Sequence, residues 1–119
     1  MDFEDKMEEK NLRLNQTLKK AQKNMKCDTS DPGIGCKVEV RILAQALRNV
    51  DNPGMVFSLL KAAFELAEMN KNVVGVNFVM REDGEYSLRD YALHMKMLAY
   101  FRKKFPDVNL SLHAGELAM

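Results

Sequence analysis

Near the end of the chain, His113 and Glu116 are the residues whose types and spacing best suit chemistry. A neutral imidazole can ligate zinc, and a carboxylate beside a metal-bound water can move a proton. The small link Ala114-Gly115 lets the chain turn, so that the carboxylate can reach the same cavity. As a bare H-x-x-E pattern the signal is weak, and a satisfied or solvent-facing histidine is its commoner origin. One imidazole also does not make a zinc site.

A predicted strand over residues 108–113 would position this pair. It alternates an apolar set, Val108, Leu110 and Leu112, with a polar set, Asn109, Ser111 and His113. The apolar set is suited to packing against helices, whereas the polar set suits an interior that carries chemistry. His113 and Glu116 would then lie at the carboxyl end of the strand, where barrel enzymes place their active sites.

The preceding residues alternate between helical and strand patterns. Apolar residues spaced by three, four and seven predict one amphipathic helix over residues 1–27, and turn formers predict a loop over 28–36. We predict a strand at 37–45, a helix at 55–69 and a buried strand at 73–80. A third helix is expected to be capped by Ser87 and to end at Pro106. It is expected to bury an apolar set: Leu88, Tyr91, Met95, Leu98 and Phe105.

The order of these elements, a helix followed by β-α-β-α-β, predicts an α/β fold with parallel strands and right-handed crossovers. An open doubly wound sheet and one arc of a (β/α)8 barrel both fit. The polar set of the last strand favours the barrel. A complete barrel needs about 250 residues, so the 119-residue chain is expected to form a single partial domain, with residues 37–117 as its β-α-β-α-β segment.

Charge and hydropathy exclude several partners. Eighteen basic and seventeen acidic residues leave a net charge of +1, which gives no footprint for nucleic acid or an anionic membrane. The apolar runs fall far short of the roughly 20 residues that cross a bilayer. The acidic amino terminus does not resemble a signal peptide, so we expect a soluble protein whose compartment stays open.

Cys27 and Cys36 flank a stretch rich in Pro and Gly, and neither belongs to a CxxC pair. A disulfide that closes this loop is possible. Since nothing in the sequence fixes the redox compartment, the sequence favours free structural thiols.

Two motifs together resemble the adenosine deaminase family, including its adenosine deaminase-related growth factor branch. Residues 111–116, S-L-H-A-G-E, resemble the S/T-x-H-A-G-E motif on the fifth barrel strand of that family. Residues 74–83, V-G-V-N-F-V-M-R-E-D, resemble its fourth-strand motif, commonly G-[FIV]-[DN]-L-x-G-x-E-D. The resemblance covers residues 38–117, which would make them strands 3 to 5 of the barrel.

The resemblance implies a zinc-dependent deamination of adenosine or a related purine nucleoside to inosine and ammonia. His113 would be a zinc ligand, and Glu116 would protonate purine N1 while zinc-bound hydroxide attacks C6. Met80, Gly115, Glu82 and Asp83 would lie at the substrate site. Glu82 and Asp83 are equally compatible with a solvated acidic loop before Gly84.

The chain departs from the family pattern in two ways. The family takes its other zinc ligands from its first and eighth strands and its water-orienting histidine from the sixth, and this chain holds none of those segments. The only other histidine, His94, is expected to be structural, on a helix surface one turn after Asp90. Met80 replaces a glycine whose backbone N–H contacts the purine in the family.

Two functions of different classes follow. The chain is a central segment of a zinc-dependent adenosine deaminase-like hydrolase, inactive by itself, or it is a non-catalytic α/β module used for interaction or assembly. In either case we expect a homo-oligomer. A three-strand arc leaves two strand edges unpaired and exposes a face on which Leu43 and Phe78 or its neighbours are expected.

Overall fold

The computed structural model describes residues 2–117, so Met1, Ala118 and Met119 of the predicted elements lie outside the described part. Residues Met1–Arg41 and Ile42–Met119 form two compact units. The first unit contains helix α1 (Phe3–Asn24) and a short 3₁₀ helix (Ile34–Lys37). The second contains β1 (Ile42–Leu47), α2 (Pro53–Met69), β2 (Val73–Val79), α3 (Glu85–Arg89), α4 (Tyr91–Lys104) and β3 (Asn109–Leu112). None of the helices in residues 2–117 has the length and apolar character that a membrane crossing requires.

In the first unit, a disulfide joins Cys27 to Cys36, so the prediction of free thiols is wrong. The chain turns back after α1 because Gly33 N–H donates to the carbonyl of Met25, at 2.8 Å. This turn brings the two cysteines to a Cα separation of 5.5 Å, which suits a disulfide. The Pro/Gly-rich stretch thus forms a closed loop.

The second unit is a mixed α/β fold with a three-stranded parallel sheet in the order β1-β2-β3. Ala46 of β1 pairs with Phe78 of β2, which in turn pairs with Leu112 of β3. The predicted α/β class and parallel strands are therefore confirmed. The order along the sheet follows the order along the chain, because each strand is joined to the next by a helical crossover.

Helices α2 and α4 pack against one face of this sheet and form a single core with it. Phe78 and Phe101 are both fully buried, so the exposed face on which Leu43 and Phe78 or its neighbours were expected carries Leu43 and the neighbour Asn77, and not Phe78. The other core residues are Ala46, Val56, Leu60, Ala63, Phe64, Val76, Met97, Leu98 and Phe105. The opposite face, here called the open face, carries residues 43, 45 and 47 of β1 together with Asn77, Asn109 and Ser111.

The first strand begins later than its alternation predicts. Residues 34–37 form the 3₁₀ helix, and Ile42 is the first residue to pair with β2, opposite Val73. Val38 and Val40 are exposed by 68% and 49%. A strand forms where its backbone N–H and C=O groups pair with a neighbouring strand, and an alternating sequence does not show whether such a strand is present.

Local capping sets the ends of the helices. Asn52 caps α2, since its side chain accepts a hydrogen bond from Met55 N–H, and Pro53 occupies the first helical position. Ser87 does not cap a helix but lies buried inside α3. Asn49 caps α3, because its Oδ1 accepts from the backbone N–H of Tyr86 and Ser87.

This helical segment therefore starts before Ser87, and its burial differs from the prediction. Leu98 and Phe105 are buried as predicted, and Met95 is half-buried. Leu88 and Tyr91 are exposed by 64% and 58%, so their predicted burial is wrong. Both lie at the turn between α3 and α4, where the predicted helical phase breaks.

Candidate functional site

The predicted pair lies where β2 and β3 end side by side. His113 directly follows β3, and its backbone N–H donates to the carbonyl of Phe78 at 3.0 Å. This bond extends the pairing of the two strands by one residue and fixes the start of the loop that carries Glu116. The imidazole thus sits at the carboxyl end of a parallel strand, where α/β proteins bind ligands.

His113 and Glu116 are adjacent, with Nδ1 of the imidazole 3.4 Å from Oε2 of the carboxylate. The turn between them passes through Gly115, whose φ of +68° lies in the left-handed region that favours glycine. Glu82 joins the pair from the loop after β2, since its Oε1 accepts a hydrogen bond from Glu116 N–H at 3.3 Å. Of the predicted site residues, Glu116 is thus in contact with both His113 and Glu82.

The second imidazole nitrogen of His113 faces the open face of the sheet. Nδ2 of Asn77 lies 3.4 Å from Nε2, and Ser111 Oγ donates to Asn77 Oδ1 at 3.0 Å. An amide nitrogen can only donate, so this contact is a hydrogen bond when the ring proton is on Nδ1, toward Glu116, and Nε2 accepts. The row of Ser111, Asn77 and His113 therefore orients the imidazole.

Met80, which directly follows β2, has an unusual backbone conformation. Its φ is +89°, in a region that non-glycine residues rarely adopt. Its side chain is 37% exposed. The backbone therefore takes a glycine-like conformation at the position where the sequence carries methionine.

Asp83 is held by its own loop. Arg81 donates two hydrogen bonds to its carboxylate, each of 3.0 Å. These bonds keep the pKa of Asp83 below its usual range, and the carboxylate stays ionised at neutral pH. Asp83 and Glu82 line the same cleft, but only Glu82 bonds to the loop of Glu116.

His113 is the predicted zinc ligand among residues 2–117. A nitrogen that accepts a hydrogen bond has no lone pair left for a metal, so Nε2 of His113 can ligate only after Asn77 gives way. Within residues 2–117 no three His, Cys, Asp or Glu side chains are grouped to hold a metal ion. Residues 2–117 therefore do not form a zinc site by themselves, and His113 could supply at most one ligand of such a site.

A cleft of about 380 Å³ opens beside the pair, and it includes a residue that the sequence reasoning missed. Arg48 lines the cleft and follows β1 directly. It is only 6% exposed, and its Nε has no hydrogen-bond partner among residues 2–117. A charged residue at the carboxyl end of an apolar strand was the available signal, but the strand was expected to end at Gln45.

His94 lies in the core and not on the surface of its helix, which corrects the prediction. It is 1% exposed, and its Nε2 has no hydrogen-bond partner within the described residues. The ring packs against Phe78 at a centroid distance of 5.5 Å. Burial lowers the pKa of His94, so it is neutral at physiological pH.

Comparisons of the chain with protein-family models, with curated proteins and with solved structures returned no match. The function therefore has to be inferred from the residues and their geometry.

Proposed function

We propose that residues 42–117 are the third-to-fifth-strand segment of a zinc-dependent adenosine deaminase-like hydrolase. Such an enzyme uses water to convert adenosine, or a related purine nucleoside, to inosine and ammonia. The observation that carries the proposal is the contact between His113 and Glu116, with Nδ1 and Oε2 3.4 Å apart at the carboxyl end of a parallel strand. Glu82, from the neighbouring strand's loop, bonds to the backbone of Glu116 and supports the same site.

The layering of the second unit supports a barrel segment. A (β/α)8 barrel has its strands in sequential order, its helices outside and its other face toward the interior. Here the order is β1-β2-β3, and α2 and α4 share one core on one face of the sheet. A doubly wound sheet would carry helices on both faces. The polar Asn77, Asn109 and Ser111 on the open face suit a barrel interior.

The conformation of Met80 gives independent support. The family motif has glycine at this position, and the φ of +89° is one that glycine adopts without strain. A methionine held in a glycine-like conformation suggests that the surrounding loop keeps the family's geometry. The backbone N–H of Met80 would contact the purine, as the resemblance implies.

In this proposal Glu116 is the proton donor. Its carboxyl group would protonate purine N1, which removes the negative charge that would otherwise build on the ring as water adds at C6. The proton of the C6 hydroxyl then passes to the amino group, the C6–N bond breaks, ammonia leaves with inosine as the other product, and the second proton of the water restores the carboxyl group of Glu116. His113 would hold the metal, whose role when bound is to lower the pKa of a water to about 7. Asn77 would orient the imidazole, and Glu82 would hold the loop of Glu116 by its hydrogen bond.

The test separates the roles of the two residues in a protein that carries this segment with the other strands of the barrel. Glu116→Gln should keep the zinc content and lower the rate of adenosine deamination by about 10²- to 10⁴-fold, because it removes a proton donor. His113→Ala should lose zinc as well as activity. Glu68→Gln is the control, since Glu68 is an exposed acid near the end of α2, which leads into the amino end of β2, whereas the pair lies at the carboxyl ends of the strands.

Three outcomes would contradict the proposal: equal zinc loss in both variants, full activity in Glu116→Gln, or no deamination of any purine nucleoside by the wild type. The last outcome would favour the non-catalytic module. For the 119-residue chain alone we expect no deamination with added zinc, because the described residues offer one imidazole where a site needs about four ligands.

A further inference from the structure

The least satisfied charge in the second unit is the guanidinium of Arg48. The residue is 6% exposed, and its Nε makes no hydrogen bond within residues 2–117. Two other arginines of this unit are paired, Arg81 with Asp83, and Arg89 with Asp51 and Asp90, and the remaining one, Arg102, is exposed to solvent. Arg48 has no such carboxylate partner in the described part of the chain. A buried charge without a partner is strongly unfavourable, so the site favours an anion.

The cleft that Arg48 lines has the size and character of a ligand site. Its volume of about 380 Å³ falls in the range of small-molecule pockets. Apart from Arg48, most of its wall is apolar, formed by Leu88, Tyr91, Met95, Leu112 and Leu117. Arg48 is the most buried of the lining residues whose exposure is given, whereas Leu88 and Tyr91 are more than half exposed. A ligand would therefore meet apolar surface at the mouth and a cation deep inside.

The charge at the rim indicates which anion fits. Glu82 and Asp83 line the same cleft, and only Asp83 is neutralised, by Arg81. The carboxylate of Glu82 would repel a dianion such as phosphate more strongly than a monoanion. A single negative charge on an apolar body matches both the cation and the wall.

We propose that this cleft binds a monocarboxylate with an apolar chain, whose carboxylate pairs with the guanidinium of Arg48. The planar guanidinium can donate two parallel hydrogen bonds to a carboxylate. The chain of the ligand lies along Leu88, Tyr91 and Met95. His113, Glu82 and Asp83 of the proposed deaminase site line the same cleft. The inference goes beyond the deaminase proposal and does not rest on that reaction, because Arg48, Leu88, Tyr91 and Met95 take no part in it.

The probe for the test is octanoate, and 1-octanol is its uncharged match. Binding to the 119-residue chain is measured by NMR titration and by the ligand-induced shift of the thermal midpoint. Octanoate should bind saturably and raise the midpoint, and it should bind at least about tenfold more tightly than 1-octanol, since only octanoate pairs with the cation. Backbone resonances of residues 88–95 should shift on titration.

Two variants and one control assign the binding to Arg48. Arg48→Gln should weaken octanoate binding about tenfold or more, whereas Arg102→Gln, an exposed arginine in α4, should leave it unchanged. Leu88→Glu keeps Arg48 but places a carboxylate on the cleft wall, and it should also weaken octanoate binding. Because Leu88 is 64% exposed, this variant tests the site even if Arg48→Gln fails to fold.

Equal affinity for octanoate and 1-octanol would overturn the proposal, as would unchanged octanoate binding in either folded cleft variant. Shifts of residues 88–95 that depend on protein concentration without ligand would also overturn it, because a second copy of the chain would then fill the cleft.

Discussion

The imidazole of His94 meets the ring of Phe78 edge-on in the core, with ring centroids 5.5 Å apart and planes at 88°. Nothing polar among residues 2–117 bonds to its Nε2. Burial lowers the pKa of His94, Asp90 opposes this shift, and the charges of Arg48 and Arg89 add to it. The core therefore accepts this histidine only in its neutral form.

The first prediction concerns stability against pH. An unfolded chain protonates His94 near pH 6.5, whereas the folded chain does so only at lower pH. Below about pH 6.5 the unfolded state thus binds more protons, and the free energy of unfolding should fall as the pH falls from 7 to 5. This group can contribute at most about 1.4 kcal/mol per pH unit. His94→Gln should flatten the dependence in urea denaturation experiments.

His113→Gln is the matched control, because it replaces the other histidine of the chain at a position that is 39% exposed, and its slope is the reference for His94→Gln. Asp90 also makes the free energy of unfolding fall on acidification, because Arg89 holds the pKa of its carboxyl group below the usual value. That fall occurs at lower pH than the one due to His94. An identical slope for wild type and His94→Gln between pH 7 and 5 would show that His94 is not held neutral.

The second prediction concerns the backbone at Met80. With φ at +89° a methionine is strained, whereas glycine adopts this region freely. Met80→Gly should therefore raise the free energy of unfolding by about 1 kcal/mol. The control Ala92→Gly, at an exposed position of α4, should lower it by about 1 kcal/mol, because glycine weakens a regular helix. A loss of stability in Met80→Gly would mean that the methionine side chain outweighs the strain.

The sequence predicts the second unit well where one periodicity dominates. The apolar run over residues 73–80 became β2 at Val73–Val79, and the helical spacing over 55–69 became α2 at Pro53–Met69. The prediction fails at β1, because Val38 and Val40 alternate like a strand, whereas the pairing with β2 begins only at Ile42. The strand pairing starts where Ile42 lies opposite Val73, and the sequence around Ile42 does not reveal which distant residue will be its partner.

The candidate site was also predicted only in part, because some of its features depend on contacts between residues that are distant in the sequence. His113, Glu116 and Glu82 could be linked because all follow parallel strands at one edge of a sheet, and they meet there. Arg48 was missed because its importance arises from burial without a partner, a property of the packed core. The Cys27–Cys36 bond was missed because it depends on the turn made by Gly33.

The third prediction concerns this disulfide, which closes a loop with a sequence separation of 9. Loop closure of this length stabilises the folded loop by roughly 2–3 kcal/mol. On reduction, the amide hydrogens of Gly33 and Cys36 should exchange with solvent about tenfold to a hundredfold faster, since their bonds to Met25 and Gly33 carbonyls open more often. The backbone amide of Val76 in β2 serves as the internal reference. Unchanged exchange at Gly33 and Cys36 would show that the turn holds without the disulfide.

The last prediction is that the chain self-associates through the sheet. β1 and β3 are the outer strands, and within the described residues each pairs on one side only, which leaves backbone N–H and C=O groups free to pair with another copy. Leu43 and Leu47, at 49% and 39% exposure, add apolar area on the open face next to the β1 edge.

Leu43→Glu should therefore weaken association at least about tenfold, since it places a charge in a contact that favours apolar residues. Leu93→Glu is the control, because Leu93 is similarly exposed at 42% but lies on α4. Sedimentation equilibrium at micromolar concentration measures the association. A wild-type chain that sediments as a 13.6 kDa monomer and unfolds cooperatively would show that the second unit is stable without a partner.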